Sequence, residues 1–496
     1  TNFGYDHNGN ITSTTDASGV KVNTGYDVLN RPIGRWAGIA TSYATSANAD
    51  RLASWTYDTV AGGKGMAATE TSWQSGVEYI TTVTGYNPRY QVTASKVNIP
   101  GTFGSDLLVG DWKFTTSFNE AGQPVTVTKP LVPVDPTVGG NPTLTDVTTT
   151  GYNGFGQPDQ LWEGALTTPV TGTPRYVTGT GFDPLGRVTD RSLSRTADVA
   201  TPVLNRSYGY NMVTGALDEI KARWSTSGTP VVWFQHDSYT RDAIGRVTRI
   251  DDNGLEAVAA PSNVDECFLY DQWNRLTRAH SVVADGTCAT TTTAATLSAN
   301  SLHAYDMVWT FDDINRMRTS KDMTAVGTPT TTYGYAGTKH AVTGLTGATT
   351  GSYNYNAVGA MTTRDGDGLT YDTQQRLTGY AASEEYVYST TNQRLIRQAG
   401  GTRTLYLPGM EVSVTGTTRT INCYLTIGAT QVGTKTSTHP SGGSLTYSYA
   451  FACGNMQNSN VCQVTAGSGA IPQRKRYAPY GASRQLAPVT FPNTDR

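Results

Sequence analysis

The chain has 496 residues, 15% of them charged, and its formal net charge is −2. This near-neutral balance excludes the extended basic face that binds nucleic acid or anionic membranes, so we expect neither as a partner. No apolar run is long enough to form a membrane helix, and we expect no membrane insertion by this segment. The 53 glycines and 28 tyrosines are typical of a protein built from turns and strands.

A short phrase recurs along the chain: an aromatic residue, Asp or Asn, two variable residues, Gly or Asn, often Arg, and then an aliphatic residue. In chain order the clear copies are Tyr26-Asp27-Val28-Leu29-Asn30-Arg31, Phe182-Asp183-Pro184-Leu185-Gly186-Arg187, Asp242-Ala243-Ile244-Gly245-Arg246 (which lacks only the aromatic), Tyr270-Asp271-Gln272-Trp273-Asn274-Arg275, Phe311-Asp312-Asp313-Ile314-Asn315-Arg316 and Tyr371-Asp372-Thr373-Gln374-Gln375-Arg376. Looser copies begin at Tyr5, Tyr86, Phe118, Tyr152 and Tyr355. Repetition of this kind indicates a repeat architecture.

Each copy of the phrase predicts a tight turn. An Asp or Asn side chain at its start accepts a hydrogen bond from the backbone two residues later, as in a type I turn. The fourth position must take a positive φ when such a turn closes a hairpin through a bulge, and Gly and Asn do so at low cost. Gln375 departs from this rule, and the copy at Tyr86, with Pro88-Arg89, does not fit the spacing.

The segments between the phrases predict strands. Aliphatic residues alternate with polar ones after each turn, as in Arg187-Val188-Thr189, and runs rich in Thr, Val and Tyr separate the copies. No long stretch has a helical period. Because one hairpin is barely stable alone, we expect the hairpins to pair edge to edge in one long antiparallel sheet, which makes the protein all-β.

The phrase resembles the YD repeat of the RHS family, which includes bacterial polymorphic toxins, shell subunits of insecticidal toxin complexes and the animal teneurins. The stretch from Tyr333 to Thr378 is similar to the late part of bacterial RHS shells, and Thr404-Leu405-Tyr406-Leu407-Pro408-Gly409 and Arg476-Tyr477-Ala478-Pro479-Tyr480-Gly481 continue the resemblance. It implies a YD-repeat sheet over residues 1–408 and a C-terminal shell segment over residues 409–496 with a divergent Cys-containing loop at 449–464. Sheet twist is expected to coil the hairpins into a spiral that forms a hollow shell or tube.

The resemblance also implies a function. The chain would be a non-catalytic shell wall, part of a larger bacterial polypeptide that is secreted or displayed at the cell surface. Its partner would be its own C-terminal, toxin-like cargo domain or another protein chain. The alternative is an extracellular scaffold, filament or adhesin that self-assembles or binds surface glycans through exposed aromatic residues, although most aromatics of such a sheet pack across strands.

Five cysteines match no metal-binding spacing. Cys453 and Cys462 flank a polar loop and are a candidate disulfide, and Cys267 and Cys288 could also pair, which would leave Cys423 free. Disulfides persist in exported proteins, and buried reduced thiols are the alternative.

The remaining motifs do not indicate an enzyme. Six scattered histidines include no pair at ligand spacing, and Asp365-Gly366-Asp367-Gly368 is more typical of a hairpin turn than of a calcium loop. No nucleophile elbow or phosphate-binding loop is present. We therefore expect no catalytic residue, no metal and no cofactor, and any autoproteolytic motif would lie beyond Arg496.

Overall fold

The computed structural model describes residues 1–101, 107–133, 144–165, 168, 172–195, 204–224, 232–254, 264–283, 287–288, 304–325, 327–440, 444–466 and 473–484. The regular structure in these ranges is almost entirely β, and their one helical element is a 3-10 turn at Asn48–Asp50. The predicted all-β class is confirmed.

The described residues form 37 strands. The first twelve are β1 (Asn2–Tyr5), β2 (Ile11–Thr15), β3 (Lys21–Tyr26), β4 (Pro32–Ala37), β5 (Arg51–Tyr57), β6 (Ala67–Gln74), β7 (Val77–Tyr86), β8 (Val92–Ile99), β9 (Gly110–Phe118), β10 (Pro124–Pro130), β11 (Thr145–Tyr152) and β12 (Pro158–Glu163). The next twelve are β13 (Arg175–Phe182), β14 (Val188–Leu193), β15 (Leu204–Tyr210), β16 (Leu217–Trp224), β17 (Val232–Arg241), β18 (Val247–Asp252), β19 (Val264–Tyr270), β20 (Leu276–Val283), β21 (Asp306–Phe311), β22 (Met317–Asp322), β23 (Thr330–Tyr335) and β24 (Val342–Gly347). The last thirteen are β25 (Gly351–Tyr355), β26 (Met361–Arg364), β27 (Asp367–Tyr371), β28 (Leu377–Tyr380), β29 (Glu384–Tyr388), β30 (Arg394–Ala399), β31 (Thr402–Leu407), β32 (Met410–Thr415), β33 (Thr418–Ile427), β34 (Thr430–Pro440), β35 (Thr446–Gly454), β36 (Asn460–Thr465) and β37 (Gln473–Arg474).

The sheet is an unclosed meander. Each strand pairs antiparallel with the next one along the chain, from the β1–β2 ladder to the β36–β37 ladder. Consequently, every connection from an odd-numbered to the following even-numbered strand lies at the same edge, which we name the turn edge. The connections from even- to odd-numbered strands lie at the opposite edge, which we name the loop edge.

The sheet spirals, as predicted, because its later strands run alongside its earlier ones in the same order. Hydrogen bonds across this contact join Asp16 to Gln375, Glu70 to Thr390, Asp146 to Lys435, Asp252 to Arg476 and Glu266 to Arg484. We name β1–β22 the first coil and β27–β37 the second coil. The partners are 218 to 359 residues apart in sequence, so the contact is entirely long-range.

The hydrophobic core lies between the coils. One buried cluster combines Trp112 of the first coil with Leu405 and Met410 of the second. Another combines Tyr176 and Phe234 with Leu425 and Phe451. The expected boundary at residue 408 falls inside the sheet, where β31 and β32 pair through Leu407 and Met410.

Candidate functional site: the turn edge and the seam between the coils

The repeated phrase folds into the same hydrogen-bonded turn along the turn edge. In its clearest copy the Asp183 carboxylate accepts hydrogen bonds from the backbone N–H groups of Leu185 and Arg187, both at 2.9 Å. The backbone N–H of Gly186 donates to the Asp183 carbonyl, also at 2.9 Å. Gly186 has a φ of 79°, and the ladder register shifts beside Phe182, as the predicted turn with a bulge requires.

The other sequence-predicted repeat residues occupy equivalent places. Asn30, Asn274 and Asn315 have φ values of 62°, 64° and 65° at the fourth position. These turns place the following motif residues at the turn edge: Tyr26, Asp27, Asn30, Arg31, Phe182, Asp183, Gly186, Arg187, Asp242, Gly245, Arg246, Tyr270, Asp271, Asn274, Arg275, Phe311, Asp312, Asn315, Arg316, Tyr371, Asp372 and Arg376.

The two copies of the phrase that depart from the sequence rule nevertheless form the same turn as the others. Gln375 takes a φ of 60°, and its backbone N–H bonds to the Asp372 carbonyl. The copy at Tyr86 also closes normally, with Tyr90 at the fourth position and a φ of 60°. The prediction that this copy does not fit the spacing was wrong, because the Asn87 carboxamide caps the turn as an aspartate would.

The arginine of each turn links it to the next turn. Within its own turn, Arg246 Nε donates to Asp242 at 2.6 Å. Its Nη1 reaches the following turn and donates to Asn274 Oδ1 at 2.8 Å, while the guanidinium lies 4.7 Å from the centroid of the Tyr270 ring. Arg187 makes the same kind of bond to the Gly215 carbonyl. One side chain therefore combines a charge-assisted bond, a turn-to-turn bond and a cation–π contact.

Glutamine performs this linking role in copies that lack arginine, which the sequence prediction missed. Gln91 Nε2 donates to the Gly122 carbonyl at 2.7 Å, and Gln123 Nε2 donates to the Gly156 carbonyl at 2.6 Å. The signal was the position: both glutamines follow the fourth turn residue, where arginine stands in the clear copies.

The tyrosine of each phrase links it to the preceding repeat. Tyr270 Oη donates to the Val247 carbonyl at 2.9 Å, and Tyr26 and Tyr371 bond in the same way to the Ile11 and Met361 carbonyls. Burial raises the pKa of Tyr270. Phenylalanine at this position in Phe182 and Phe311 provides the ring without this bond.

The pKa is lowered for five aspartates of the repeated turns: Asp27, Asp183, Asp242, Asp271 and Asp312. The backbone N–H of Arg31 is the main cause that lowers the pKa of Asp27, and the Arg31 side chain adds to it. Such surface pairs are individually worth little, so their contribution lies in their recurrence along the edge.

The second element of the site is the seam, the set of buried ion pairs that joins the two coils. Lys435 of β34 is 4% exposed, and its Nζ donates to Asp146 Oδ1 of β11 and Glu163 Oε1 of β12, both at 2.8 Å. Burial alone would lower the pKa of Lys435, but the Asp146 and Glu163 carboxylates outweigh burial and raise it.

Further along the seam, two arginines meet two buried aspartates. Arg474 Nη2 lies 3.0 Å from Asp237 Oδ1, and Arg476 Nη2 lies 2.6 Å from Asp252 Oδ2. Arg474 also bonds to Asp252. Burial would raise the pKa of Asp252, but Arg474 and Arg476 lower it, whereas burial raises the pKa of Asp237. Arg484 and Glu266 extend the seam with a 2.6 Å pair.

A cavity of about 410 Å³ lies against the seam. Its lining includes Asp237, Asp252 and Glu266, and aromatic side chains such as Tyr239 and Tyr477. Its carboxylates are already engaged by Arg474, Arg476 and Arg484. This arrangement stabilises the coil contact and provides no paired nucleophile and base.

The cysteines follow the candidate pairing. Cys453 and Cys462 face each other on β35 and β36, with Cα atoms 4.9 Å apart, and are joined by a disulfide. A second disulfide joins Cys267 to Cys288. Cys423 is free and buried, and burial raises the pKa of its thiol to about 12. The Cys453–Cys462 disulfide thus connects neighbouring strands, and Cys423 is left as a buried thiol of low reactivity.

The structure also bears on the Asp365-Gly366-Asp367-Gly368 motif, on metal-binding clusters and on membrane helices. Asp365 and Gly366, with φ values of 55° and 95°, form the tight turn between β26 and β27, as predicted. Within the described ranges, no cluster of three His, Cys, Asp or Glu residues could hold a metal ion. Nor does any helix there have the length and apolarity to cross a membrane.

Comparisons with known proteins agree with this geometry. The sequence model of the RHS Repeat family matches residues 5–38. No curated protein sequence matches the chain. Among solved structures, the chain is similar to the Photorhabdus luminescens Tc holotoxin pore, with 14% identity and a TM-score of 0.70 over 97% of this chain and 23% of that one.

It is also similar to the TcdB2-TccC3-Cdc42 structure (14% identity, TM-score 0.71, 96% of this chain and 24% of that one) and to TcdB2-TccC3 (15% identity, TM-score 0.70, 97% and 24%). The chain therefore spans about a quarter of the length of the structures it matches. The chain therefore contains an RHS repeat at residues 5–38, its turn recurs along the turn edge, and its fold is shared with these Tc toxin structures.

Proposed function

We propose that this chain is a section of the wall of an RHS-type shell, which encloses a polypeptide cargo and separates it from its surroundings. The observation that carries the proposal is the seam: the sheet folds into successive coils whose contact is a hydrophobic core with buried ion pairs. The shared fold with Tc toxin chains supports it.

A wall must resist separation of neighbouring hairpins. Hydrogen bonds between successive turns at the turn edge oppose this separation. Turns with Arg or Gln after the fourth residue are bonded to the following turn, and turns preceded by Tyr are also bonded to the strand before them. A hairpin can therefore not leave the sheet without breaking bonds to both neighbours. Repeat arrays with such nearest-neighbour coupling open cooperatively.

The proposed role is non-catalytic. In the part of the chain that the structure describes, the most deeply buried charges at the seam are paired across the coils. Side chains committed to such pairs are poorly suited to moving protons. We further propose the division into a repeat sheet (1–408) and a C-terminal shell segment (409–496), and a location outside the producing cell.

The test is protection of cargo in the full-length protein. Denaturing mass analysis after native purification should reveal a polypeptide, covalent or cleaved, that stays with the shell until denaturation. Limited proteolysis should spare that polypeptide, and a seam variant, Arg474→Ala with Arg476→Ala, should expose it. A full-length protein with no retained polypeptide would overturn the shell proposal and favour an extracellular scaffold or filament.

A further inference from the structure

The cavity beside the seam includes the one clear copy of the phrase that lacks an aromatic residue. Arg241 stands where the other clear copies have Tyr or Phe, directly before Asp242. Arg241 pairs with Val247 across a bulge, as Tyr270 pairs with Leu276, so the two residues occupy equivalent positions at the ends of β17 and β19. This departure from the repeat therefore brings a cation into the lining of the cavity.

Arg241 keeps the hydrogen bond that a tyrosine makes at this position. Its Nη2 donates to the Leu217 carbonyl at 2.9 Å, as Tyr270 Oη donates to the Val247 carbonyl at 2.9 Å. Its Nη1 donates to the Gly245 carbonyl at 3.3 Å, and its Nε is buried without a hydrogen-bond partner. Because a tyrosine would make the first bond without a charge, the turn itself does not require a guanidinium here.

The positive charge of Arg241 is not balanced within the cavity. The three carboxylates of the lining are each paired with one of the three seam arginines, at 2.6 to 3.0 Å. Among the described residues Arg241 makes no ion pair with a carboxylate, since its Nη groups bond to neutral carbonyls. Lys475 adds a further positive charge to the lining, with its ammonium 5.1 Å from the centroid of the Tyr477 ring. An anion that enters this partly buried space would be attracted more strongly than in water.

The cavity also offers an apolar wall and an entrance. Phe268 and Leu276 of the first coil and Met456 of the second line it. Gly245 and Gln457, which also belong to the lining, are exposed, so the cavity reaches solvent. Its volume of about 410 Å³ lies within the range of about 300–1,000 Å³ of small-molecule sites, which combine apolar walls with a few polar groups.

We propose that this cavity binds a small amphipathic organic anion, a molecule with an apolar body and one carboxylate or sulfonate group. Arg241 receives the anionic group, and Phe268 and Leu276 pack against the apolar body. A polyanion fits less well, because the three seam arginines are already paired with carboxylates. Since both coils contribute to the lining, the bound anion stabilises the contact between them. This site is independent of the proposed shell function.

Two matched fluorescent probes test the site in the full-length protein. 8-Anilinonaphthalene-1-sulfonate carries one sulfonate, and N-phenyl-1-naphthylamine is the same ring system without it. We expect the sulfonate probe to bind a single saturable site about tenfold or more tighter than the neutral probe, the effect of one charge-assisted contact. Arg241→Gln should remove this difference and leave the affinity for the neutral probe unchanged. Arg364→Gln, which removes an exposed arginine of β26, is the control and should alter neither affinity.

Arg241→Tyr separates binding from folding, because a tyrosine restores the phrase and can bond to the Leu217 carbonyl. This variant should keep the melting temperature of the wild type and lose the sulfonate probe. In the wild type, the bound probe should slow hydrogen exchange in both β19 and β36, on the two sides of the cavity.

The inference is overturned if the sulfonate probe does not bind, if both probes bind equally well, or if Arg241→Tyr retains binding. It is also overturned if Arg241→Gln and Arg364→Gln have the same effect, or if exchange slows on one side of the cavity only. Cargo protection in the same protein is measured separately and reports on the shell function alone.

Discussion

Removal of Lys435 should open the contact between the coils. In Lys435→Met, Asp146 would remain about 1% exposed and lose the ammonium group that now lies 2.8 Å from its carboxylate. Breaking a buried pair on one side costs about 3–5 kcal/mol, since an uncompensated charge stays buried. Glu163 is 27% exposed and can turn to water, so it should contribute little of this loss.

The matched control is Lys96→Met. Lys96 also pairs with an aspartate, Asp111, at 2.7 Å, but Lys96 is 33% exposed and the pair joins adjacent strands of one coil. Asp111 is itself largely buried but keeps the hydrogen bond from Asn98 at 2.8 Å, so the removal of Lys96 should cost about 1 kcal/mol. Urea denaturation gives both free energies of unfolding, and hydrogen exchange should show faster opening of β33–β35 in Lys435→Met alone.

The double variant Lys435→Met with Asp146→Leu removes both charges and should recover most of the lost stability. If Lys435→Met costs less than about 1 kcal/mol, or if the double variant is as unstable as the single one, the seam does not hold the coils by charge pairing. Equal effects of Lys435→Met and Lys96→Met would also refute the reasoning, because the two sites differ mainly in burial.

Three further predictions concern the turns and the cysteines. Tyr270→Phe removes the hydrogen bond to the Val247 carbonyl and should lower the free energy of unfolding by about 0.5–1.5 kcal/mol in urea denaturation, and an unchanged value would contradict the linking role. Because the pKa of Asp27 is lowered in the folded state, its stabilising effect is present above about pH 4 and lost as the pH falls further; amides of the 27–31 turn should therefore lose protection from hydrogen exchange only below that pH, and should be less protected at all pH values in Asp27→Ala. Peptide mapping of the unreduced protein after cleavage at Met456, between the two cysteines, should recover Cys453 and Cys462 in crosslinked fragments, whereas separate fragments would exclude the disulfide.

The repeat turns were predictable from sequence because their geometry is local. The capping Asp183, the positive φ at Gly186 and the salt bridge from Arg187 all lie within five consecutive residues. The same rule misses turns only where its residue types vary. Ser389 begins an equivalent turn without Asp or Asn, and Asn455 begins one without the preceding aromatic residue, although Asn392 and Asn458 at the fourth position carried the signal.

The seam could not be predicted in this way. Lys435 meets Asp146 across 289 residues, and Arg474 meets Asp237 across 237. Which residues meet depends on the curvature of the whole sheet, summed over every strand between them. In the sequence, Lys435 lies in a Thr-rich strand that looks like any other exposed one, and nothing local marks its side chain as buried.

The local turn bonds and the long-range seam pairs contribute to the stability of the chain in different ways. The turn bonds are repeated many times and each is weak, so losing one, as at Phe182 where the hydroxyl is missing, leaves the sheet intact. The seam pairs are few, buried and individually costly to break, so they contribute strongly to the contact between the two coils. A YD-repeat sheet can therefore tolerate wide variation in its turns, provided that its curvature still brings the few charged residues of the later coil against their partners in the earlier one.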